Sequence, residues 1–287
     1  MKALTILWVR FPLLKLSFAS IHIIFLGGGF KTGNVYEIYG EAGTGKSQLS
    51  MQMSINVTLP QEIGGLAGKA VYLDCDGGFS FRRLREISQA TKAMVLPVLH
   101  PNDQQRFHQT DLMDGVLYKR IESLPKLVDS IDQLANQVLP STQNVRLIII
   151  DSIAFYFRYH TICDATLPIN GNPHSILYSL IQRLNMLAHQ WGLAVLLTNQ
   201  MTTKFNEAED ILVPALGESW SHCCTTRIFL QHCSLTKMIP DDCKTTANSL
   251  VRKFTVTKSS FLPSSKNSEA YFVVTKEGIR GSTKPLP

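Results

Sequence analysis

The sequence has little charge and lacks the cysteine spacing of a metal or redox site. Charged residues make up 17% of the 287 residues and apolar residues 45%, which is typical of a globular rather than a disordered chain. None of the six cysteines forms a C-x-x-C pair, so neither a zinc ribbon nor a thioredoxin-like site is indicated. The group His222-Cys223-Cys224 with His232-Cys233 fits no standard metal-ligand spacing. We interpret the cysteines as reduced thiols of an intracellular protein.

The sequence also lacks an uninterrupted apolar run long enough to span a membrane. Such a span needs about 20 apolar residues, and Lys15 interrupts the only candidate. A secretory signal is an alternative for this segment, with Lys2 as its charged region, although Ala19-Ser20 is a poor cleavage site. We favour an atypical apolar N-terminal segment over residues 1–25, either packed on the core as a strand or helix, or an artefactual start. We predict no membrane partner.

No internal repeat and no clear linker divide the rest of the chain. We therefore predict one domain over residues 26–281, followed by a disordered tail over residues 282–287. The net charge is +6 and the pI is about 9.0. This balance favours an anionic partner, nucleic acid or an acidic membrane surface, although excess lysine also serves solubility.

The clearest motif is a glycine-rich loop with the pattern G-x-x-x-x-G-K-S. Its residues are Gly40, Glu41, Ala42, Gly43, Thr44, Gly45, Lys46 and Ser47. The glycines let backbone N–H groups approach an anion, the lysine reaches the β- and γ-phosphates, and the serine hydroxyl binds Mg²⁺. An alternating strand pattern at 34–39 precedes the loop, and a helix-forming run follows it until Pro60. The loop in this context predicts a site for a nucleoside triphosphate with Mg²⁺.

The rest of the chain alternates between predicted strands and helices. Further strands are predicted at 70–74, 145–151, 193–200, 226–231, 254–258 and 270–275, and helices at about 80–91, 124–138 and 175–191. Loops are predicted at 97–118, 158–173, 201–217 and 231–249. This order predicts an α/β fold with a mostly parallel central sheet flanked by helices.

Polar side chains end three of the predicted strands, where an open α/β sheet places its ligand crevice. Asp151 ends an apolar strand after the loop and is a candidate Mg²⁺ ligand, usually through water. Asp74 and Asp76 end another strand, and one of them could orient an attacking water. Gln200 ends a third strand and has the reach of a γ-phosphate sensor, since an amide both donates and accepts hydrogen bonds. The simpler interpretation of each is a polar residue that caps a turn.

Several segments together resemble the RecA-type ATPase core of the eukaryotic strand-exchange recombinases. These are Leu26–Gly29, Glu37–Leu49, Tyr72–Phe79, Leu147–Ser152 and Leu197–Met201. Three further segments resemble the C-type paralogues within that family: Ser152–Phe155, Thr198–Lys204 and Pro214–His222. The resemblance runs from about Leu26 to Gly281, and the ordered set of motifs is highly specific.

The resemblance implies ATP binding with Mg²⁺ between protomers, association with single-stranded or branched DNA, and action in homologous recombination repair with other recombinase paralogues. It also implies a nuclear location. Lys46 and Ser47 would bind phosphate and Mg²⁺, Asp151 would be the Walker B residue, and Gln200 would link the γ-phosphate to the second DNA-facing loop. Arg158 and Lys204 lie in the two loops that match the family's DNA-binding loops, at about 156–173 and 201–216, and are candidate phosphate contacts. Solvated surface charge is the alternative for both.

The sequence departs from the family pattern at one catalytic position. Asp76 stands where the family has a catalytic glutamate, so we expect slow hydrolysis with ATP binding retained. The apolar residues 1–25 do not match the family's helical N-terminal domain. These departures favour a second hypothesis, an ATP-gated assembly subunit of a recombination complex without significant turnover. An unrelated loop-type kinase or transporter ATPase is a third hypothesis.

Overall fold

The computed structural model describes residues 13–14, 29–142, 144–163, 173–204, 211–233, 251–260 and 269–282. The strands are β1 (Leu13–Leu14), β2 (Phe30–Lys31), β3 (Val35–Gly40), β4 (Lys69–Asp74), β5 (Val116–Arg120), β6 (Val145–Asp151), β7 (Ala194–Asn199), β8 (Met201–Lys204), β9 (Ile211–Pro214), β10 (Thr226–His232), β11 (Arg252–Ser259), β12 (Glu269–Thr275) and β13 (Gly278–Ser282). The helices are α1 (Lys46–Asn56), α2 (Phe81–Val95), α3 (Pro101–Gln109), α4 (Leu124–Gln133), α5 (Leu139–Ser141), α6 (Ala154–Cys163), α7 (Pro173–Trp191) and α8 (Gly217–Ser221). A π-helical turn, Leu134–Val138, joins α4 to α5.

The central sheet has nine strands in the order β13-β12-β11-β10-β3-β7-β6-β4-β5. The six strands from β10 to β5 are parallel, and β11, β12 and β13 extend the sheet in antiparallel fashion. The central strands β3 and β7 are buried along their whole length, because helices cover both faces of a parallel sheet. The predicted α/β fold with a mostly parallel sheet is confirmed.

Two apolar cores lie on opposite faces of this sheet. One contains α1 and α2 side chains such as Met53 and Leu84, and the other contains α4 and α7 side chains such as Leu127 and Leu184. Each of these four side chains is at most 1% exposed. The two helical layers fix the sheet from both sides and so hold the carboxyl ends of its strands at one edge.

The prediction of a loop over 97–118 is wrong. This segment contains α3 and β5. In α3 only Phe107 is buried, so the helix has no apolar stripe that its sequence could reveal, and Pro101 occupies a first-turn position that tolerates proline. Among the described strands, β5 pairs with β4 alone, at the edge of the sheet, and its last two residues, Lys119 and Arg120, are exposed.

The loops predicted at 158–173 and 201–217 are also partly ordered elements. Helix α6 extends to Cys163, and β8 and β9 form an antiparallel hairpin in which Met201 pairs with Pro214. Strand β13 was missed as well, close to the predicted tail. The predicted loop 231–249 lies largely outside the described residues, and residues 261–268 and 283–287 lie wholly outside them. Of the N-terminal segment, the described part is β1, which pairs with β2.

No helix within the described ranges has both the length and the apolarity needed to cross a bilayer.

Arg83 on α2 ties two layers of the fold together. Its Nη2 and Nη1 atoms donate to the carbonyls of Thr275 and Lys276, each at 2.5 Å, and its Nε atom donates to Gln48 on α1 at 2.7 Å. The side chain is 16% exposed, so water competes little for these bonds. The turn between β12 and β13 is therefore anchored to the helical layer through one guanidinium.

We predict that Arg83→Ala lowers the free energy of unfolding by about 2 kcal/mol, since hydrogen bonds to charged groups typically contribute about 1.5–3 kcal/mol. Denaturant unfolding followed by circular dichroism measures this change. Arg82→Ala is the matched control, because the Arg82 side chain is 91% exposed and pairs with Glu86 at the surface. Equal losses in the two variants would contradict the anchoring role.

Candidate nucleotide-binding site

The glycine loop joins the end of β3 to the start of α1 and has the backbone of an anion cradle. Gly43 and Gly45 have φ angles of 76° and 100°, in the left-handed region that glycine adopts without strain. Gly45 is the N-cap of α1 and has no side chain to cap the first-turn N–H groups. The Thr44 hydroxyl donates to the Glu41 carbonyl at 2.8 Å and closes the turn. The N-terminal end of α1 is thus left available to an anion.

Lys46 lies folded against this loop. Its Nζ atom donates to the carbonyls of Gly40 and Glu41, both at 2.8 Å. Burial lowers the pKa of Lys46, while the nearby carboxylates of Asp151, Asp76 and Glu41 oppose that effect. A phosphate group entering the loop would supply the counter-charge that these backbone carbonyls supply only in part.

Two side chains that the sequence interpretation missed contact the outer side of the loop. Arg252 donates from Nε to the Gly43 carbonyl, and His232 Nε2 lies against the Ala42 carbonyl, each at 3.3 Å. They stand at the end of β10 and the start of β11. Nothing local in the sequence signals these contacts, because they depend on the pairing of β10 with β3 and of β11 with β10.

Asp151 lies at the end of β6 and is 1% exposed. It accepts hydrogen bonds from the Tyr72 hydroxyl at 2.6 Å and the Thr198 hydroxyl at 2.5 Å. Burial and the adjacent Asp151 charge raise the pKa of Tyr72, so this phenol remains a protonated donor. The two donors come from the neighbouring strands β4 and β7 and fix the orientation of the carboxylate towards the cleft.

The structure separates the two aspartates that flank Cys75. Asp74 is buried, pairs with Arg120 at 3.2 Å and accepts from the Tyr118 hydroxyl at 3.2 Å, away from the cleft. Asp76 lines the cleft and accepts from the Gly78 N–H at 3.0 Å. Burial and, to a smaller degree, the charge of Asp151 raise the pKa of Asp76. Of the pair, Asp76 therefore has the position and electrostatics of a proton acceptor.

Cys75 itself is fully buried, and its N–H donates to the Asp151 carbonyl at 2.7 Å. Burial, together with the charges of the surrounding carboxylates, raises the pKa of this thiol.

Gln200 and Arg158 meet at the mouth of the cleft. The Arg158 Nη1 atom donates to the Gln200 Oε1 atom at 2.6 Å, and both residues line the cleft. Lys204 lies four residues further on, is exposed at the end of β8, and does not line the cleft. The structure thus brings Arg158 to the site and places Lys204 on the hairpin outside it.

The cleft encloses about 620 Å³, a volume suited to a small-molecule ligand such as a nucleotide. Its lining includes every predicted site residue except Gly40, Thr44, Lys204 and the alternative candidate Asp74. It also includes Ser152, whose buried hydroxyl has no hydrogen-bond partner among the described residues. Local sequence patterns gave no signal for Ser152, which follows Asp151 directly.

A divalent cation in this cleft would have few protein ligands. Within the described ranges, no group of three or more His, Cys, Asp or Glu side chains is placed to hold a metal ion. Ser47 and Asp151 both line the cleft beside Lys46. One hydroxyl and one carboxylate fit Mg²⁺, which is usually held by one or two protein groups, water and the substrate phosphates.

The parallel sheet, the glycine loop leading into α1 and the carboxylate at the end of β6 define a P-loop NTPase with a RecA-like core. The chain belongs to the Rad51 family, whose sequence model matches residues 12–282.

The chain is similar to curated proteins of DNA repair. It is 36% identical over 211 residues to the "DNA repair protein RAD51 homolog 3" of Dictyostelium discoideum, which covers 71% of this chain and 54% of that protein. It is 32% identical over 262 residues to the protein of the same name from Cricetulus griseus, covering 89% and 65%. The "DNA repair protein XRCC3 homolog" of Arabidopsis thaliana is 28% identical over 280 residues, covering 88% of each chain. The chain thus spans 54% and 65% of the length of the two RAD51 homolog 3 proteins.

We predict that Tyr72→Phe weakens Mg²⁺-dependent nucleotide binding by about tenfold or more, because partners that orient a metal-binding group typically contribute about 10- to 100-fold in metal affinity. The substitution removes one of the two hydroxyl donors to Asp151 and keeps the aromatic ring. The Mg²⁺ concentration that gives half-maximal binding of a fluorescent ATP analogue measures the effect. Tyr118→Phe is the control, because its hydroxyl donates to Asp74. Equal Mg²⁺ requirements in both variants and the unmodified protein would contradict the role of Tyr72.

Proposed function

We propose that the protein binds ATP with Mg²⁺ in this cleft and acts on DNA in homologous recombination repair, as one subunit of a complex of recombinase paralogues in the nucleus. The observation that supports this most directly is the convergence of Lys46, Ser47, Asp76, Asp151 and Gln200 around one cleft at the carboxyl ends of the parallel strands. Membership of the Rad51 family and the similarity to proteins named for DNA repair support the biological role.

Each residue of the cleft has a chemical task in this proposal. The loop amides and Lys46 bind the β- and γ-phosphates, and Ser47 and Asp151 hold Mg²⁺, directly or through water. When bound there, Mg²⁺ would supply positive charge that neutralises the phosphates. Asp76 accepts a proton from the attacking water, and the amide of Gln200 contacts the γ-phosphate.

The raised pKa of Asp76 makes it a better proton acceptor at neutral pH than an ordinary aspartate. A raised pKa also means that the carboxyl keeps its proton to a higher pH, so hydrolysis should increase with pH through that range and level off above it. Its side chain is one methylene shorter than the glutamate expected at this position, which limits how well it can reach an in-line water. We infer slow, DNA-stimulated turnover.

DNA would lie against the two segments that follow β6 and β7. Arg158 on α6 is an exposed cation at the cleft. Lys204 on the β8–β9 hairpin is an exposed cation outside it. Ile211 and Leu212 on the same hairpin are 48% and 45% exposed, an apolar surface next to the lysine. Cations beside exposed apolar side chains suit a single strand, which presents both phosphates and unpaired bases.

The second candidate function is an ATP-gated assembly subunit that binds ATP without significant turnover. The observation that favours it is Asp76, because a shorter carboxylate affects hydrolysis and leaves the loop and Lys46 untouched. The two candidates share the ATP site and differ only in the hydrolytic step.

The proposed function is tested by measuring ATP hydrolysis and ATP binding with and without single-stranded DNA at two salt concentrations. We expect DNA to stimulate hydrolysis, and salt to weaken the stimulation because cation–phosphate contacts release counterions. Lys46→Ala should reduce ATP affinity by about 100-fold or more and prevent assembly with partner subunits, since a charge-assisted contact to phosphate is lost. Lys204→Ala is the complementary control and should weaken DNA binding while ATP binding persists. Tight ATP binding by Lys46→Ala would refute the site.

We predict that Asp76→Glu raises kcat by about tenfold, a part of the roughly 10²- to 10⁴-fold that a well-placed general base contributes. Asp76→Asn should abolish turnover, and both variants should bind ATP as the unmodified protein does. Steady-state hydrolysis under saturating ATP and DNA measures kcat. Unchanged, negligible turnover in all three proteins would favour the assembly function.

A further inference from the structure

A buried carboxylate in the middle of the sheet gathers donors from separate parts of the chain. Glu37 on β3 is fully buried and lies three residues before the glycine loop. Its Oε1 atom accepts from the Asn199 side-chain amide at 2.6 Å and from the Trp220 indole N–H at 2.9 Å. Its Oε2 atom accepts from Nε of Arg227 on the adjacent strand β10, with which it forms an ion pair.

The stability of the fold alone does not explain a buried carboxylate at Glu37. Well-packed apolar residues in place of a buried ion pair are often neutral or stabilising, so a buried pair is weak evidence of a stabilising role. What the carboxylate does provide is directional bonding, because each of its donors must keep a fixed orientation. The role of Glu37 therefore depends on the segments to which its donors belong.

Two of the three donors belong to the stems of the β8–β9 hairpin. Asn199 immediately precedes Gln200, and its side-chain amide also donates to the carbonyl of Ala215 at 2.8 Å. The Ala215 N–H in turn donates to the Gln200 carbonyl at 2.8 Å. Trp220 lies on α8, shortly after the hairpin ends, and is 1% exposed. Glu37 thus holds both the chain that enters the hairpin and the chain that leaves it.

The same hairpin connects the cleft to the exposed surface. The Gln200, Met201 and Leu212 side chains line the cleft, and Lys204 lies exposed further along β8. A hairpin held loosely at its base would let Gln200 move without moving Lys204. A hairpin held at both stems moves as one unit, so a shift of Gln200 also shifts Lys204.

We propose that Glu37 is a positioning residue whose carboxylate, through Asn199 and Trp220, locks the base of the β8–β9 hairpin so that nucleotide occupancy at Gln200 sets the DNA affinity of the hairpin. The carboxylate contacts neither nucleotide nor DNA. Its effect is on the free energy that couples the two, and this inference depends on the proposed function.

The test uses Trp220→Phe, which removes the indole N–H and keeps an aromatic ring in the core. Trp191→Phe is the matched control, because the buried Trp191 N–H has no hydrogen-bond partner among the described residues. Asn199→Ala is the second variant, since it releases the hairpin stem from Glu37 and from Ala215. Thermal unfolding by circular dichroism establishes that each variant is folded at the temperature of the assay.

The measured quantity is the ratio of the single-stranded DNA affinities with and without a non-hydrolysable ATP analogue, at one fixed salt concentration. We expect a clear ratio in the unmodified protein and in Trp191→Phe, within the roughly 5- to 150-fold range usual for coupled sites. In Trp220→Phe and Asn199→Ala the ratio should fall to within about twofold of one, while affinity for a fluorescent ATP analogue stays within about twofold of the unmodified value. A purely structural role would lower the melting temperature and leave the ratio unchanged.

The possible outcomes distinguish failure of the proposed role of Glu37 from failure of the proposed function. Variants of Trp220 and Asn199 that keep the full ratio would overturn the role of Glu37 and leave the proposed function standing. An unmodified protein that binds neither ATP nor DNA would overturn the proposed function, and the inference with it. If the unmodified protein binds both ATP and DNA but the ratio of DNA affinities is one, the coupling alone is overturned.

Discussion

The site depends on a stretch of backbone that only glycine adopts without strain. At Gly43 and Gly45 the chain takes left-handed angles, which turn the loop around and present the uncapped end of α1 to the cleft. A β-carbon at either residue would strain this backbone. In the proposed function, Lys46, Ser47, Asp76 and Asp151 can act on a bound nucleotide only if the loop has this shape. The rest of the site is therefore arranged around this conformational constraint.

The sheet then supplies the partners of that loop. Because parallel strands end at one edge, Asp151 from β6, Asp76 from beyond β4 and Gln200 from beyond β7 arrive together without any local signal that they should meet. Hydroxyl donors from strands on either side orient Asp151. The parallel strand β10 brings His232, and its antiparallel neighbour β11 brings Arg252, against the outer carbonyls of the loop. The geometry of the cleft is thus a property of strand order.

The sequence predicted those elements whose pattern lies in neighbouring residues. The loop motif, the apolar strand before Asp151 and the amphipathic helices each carry their own pattern, and all appear in the structure. The polar helix α3 and the exposed hairpin β8–β9 have almost no buried face, so their periodicity is invisible in the sequence. The contacts of Arg83 with Thr275 and of Glu37 with Trp220 join residues 192 and 183 positions apart and depend on the completed fold.

The buried thiol of Cys75 provides a way to measure local unfolding of this domain. Its side chain is fully buried in the apolar core that also contains α4 and α7, and burial raises the pKa of the thiol, which keeps it in the unreactive protonated form. Alkylation at Cys75 therefore requires this core to open locally first. The rate at which a maleimide modifies this cysteine therefore reports local unfolding of the core beside the cleft.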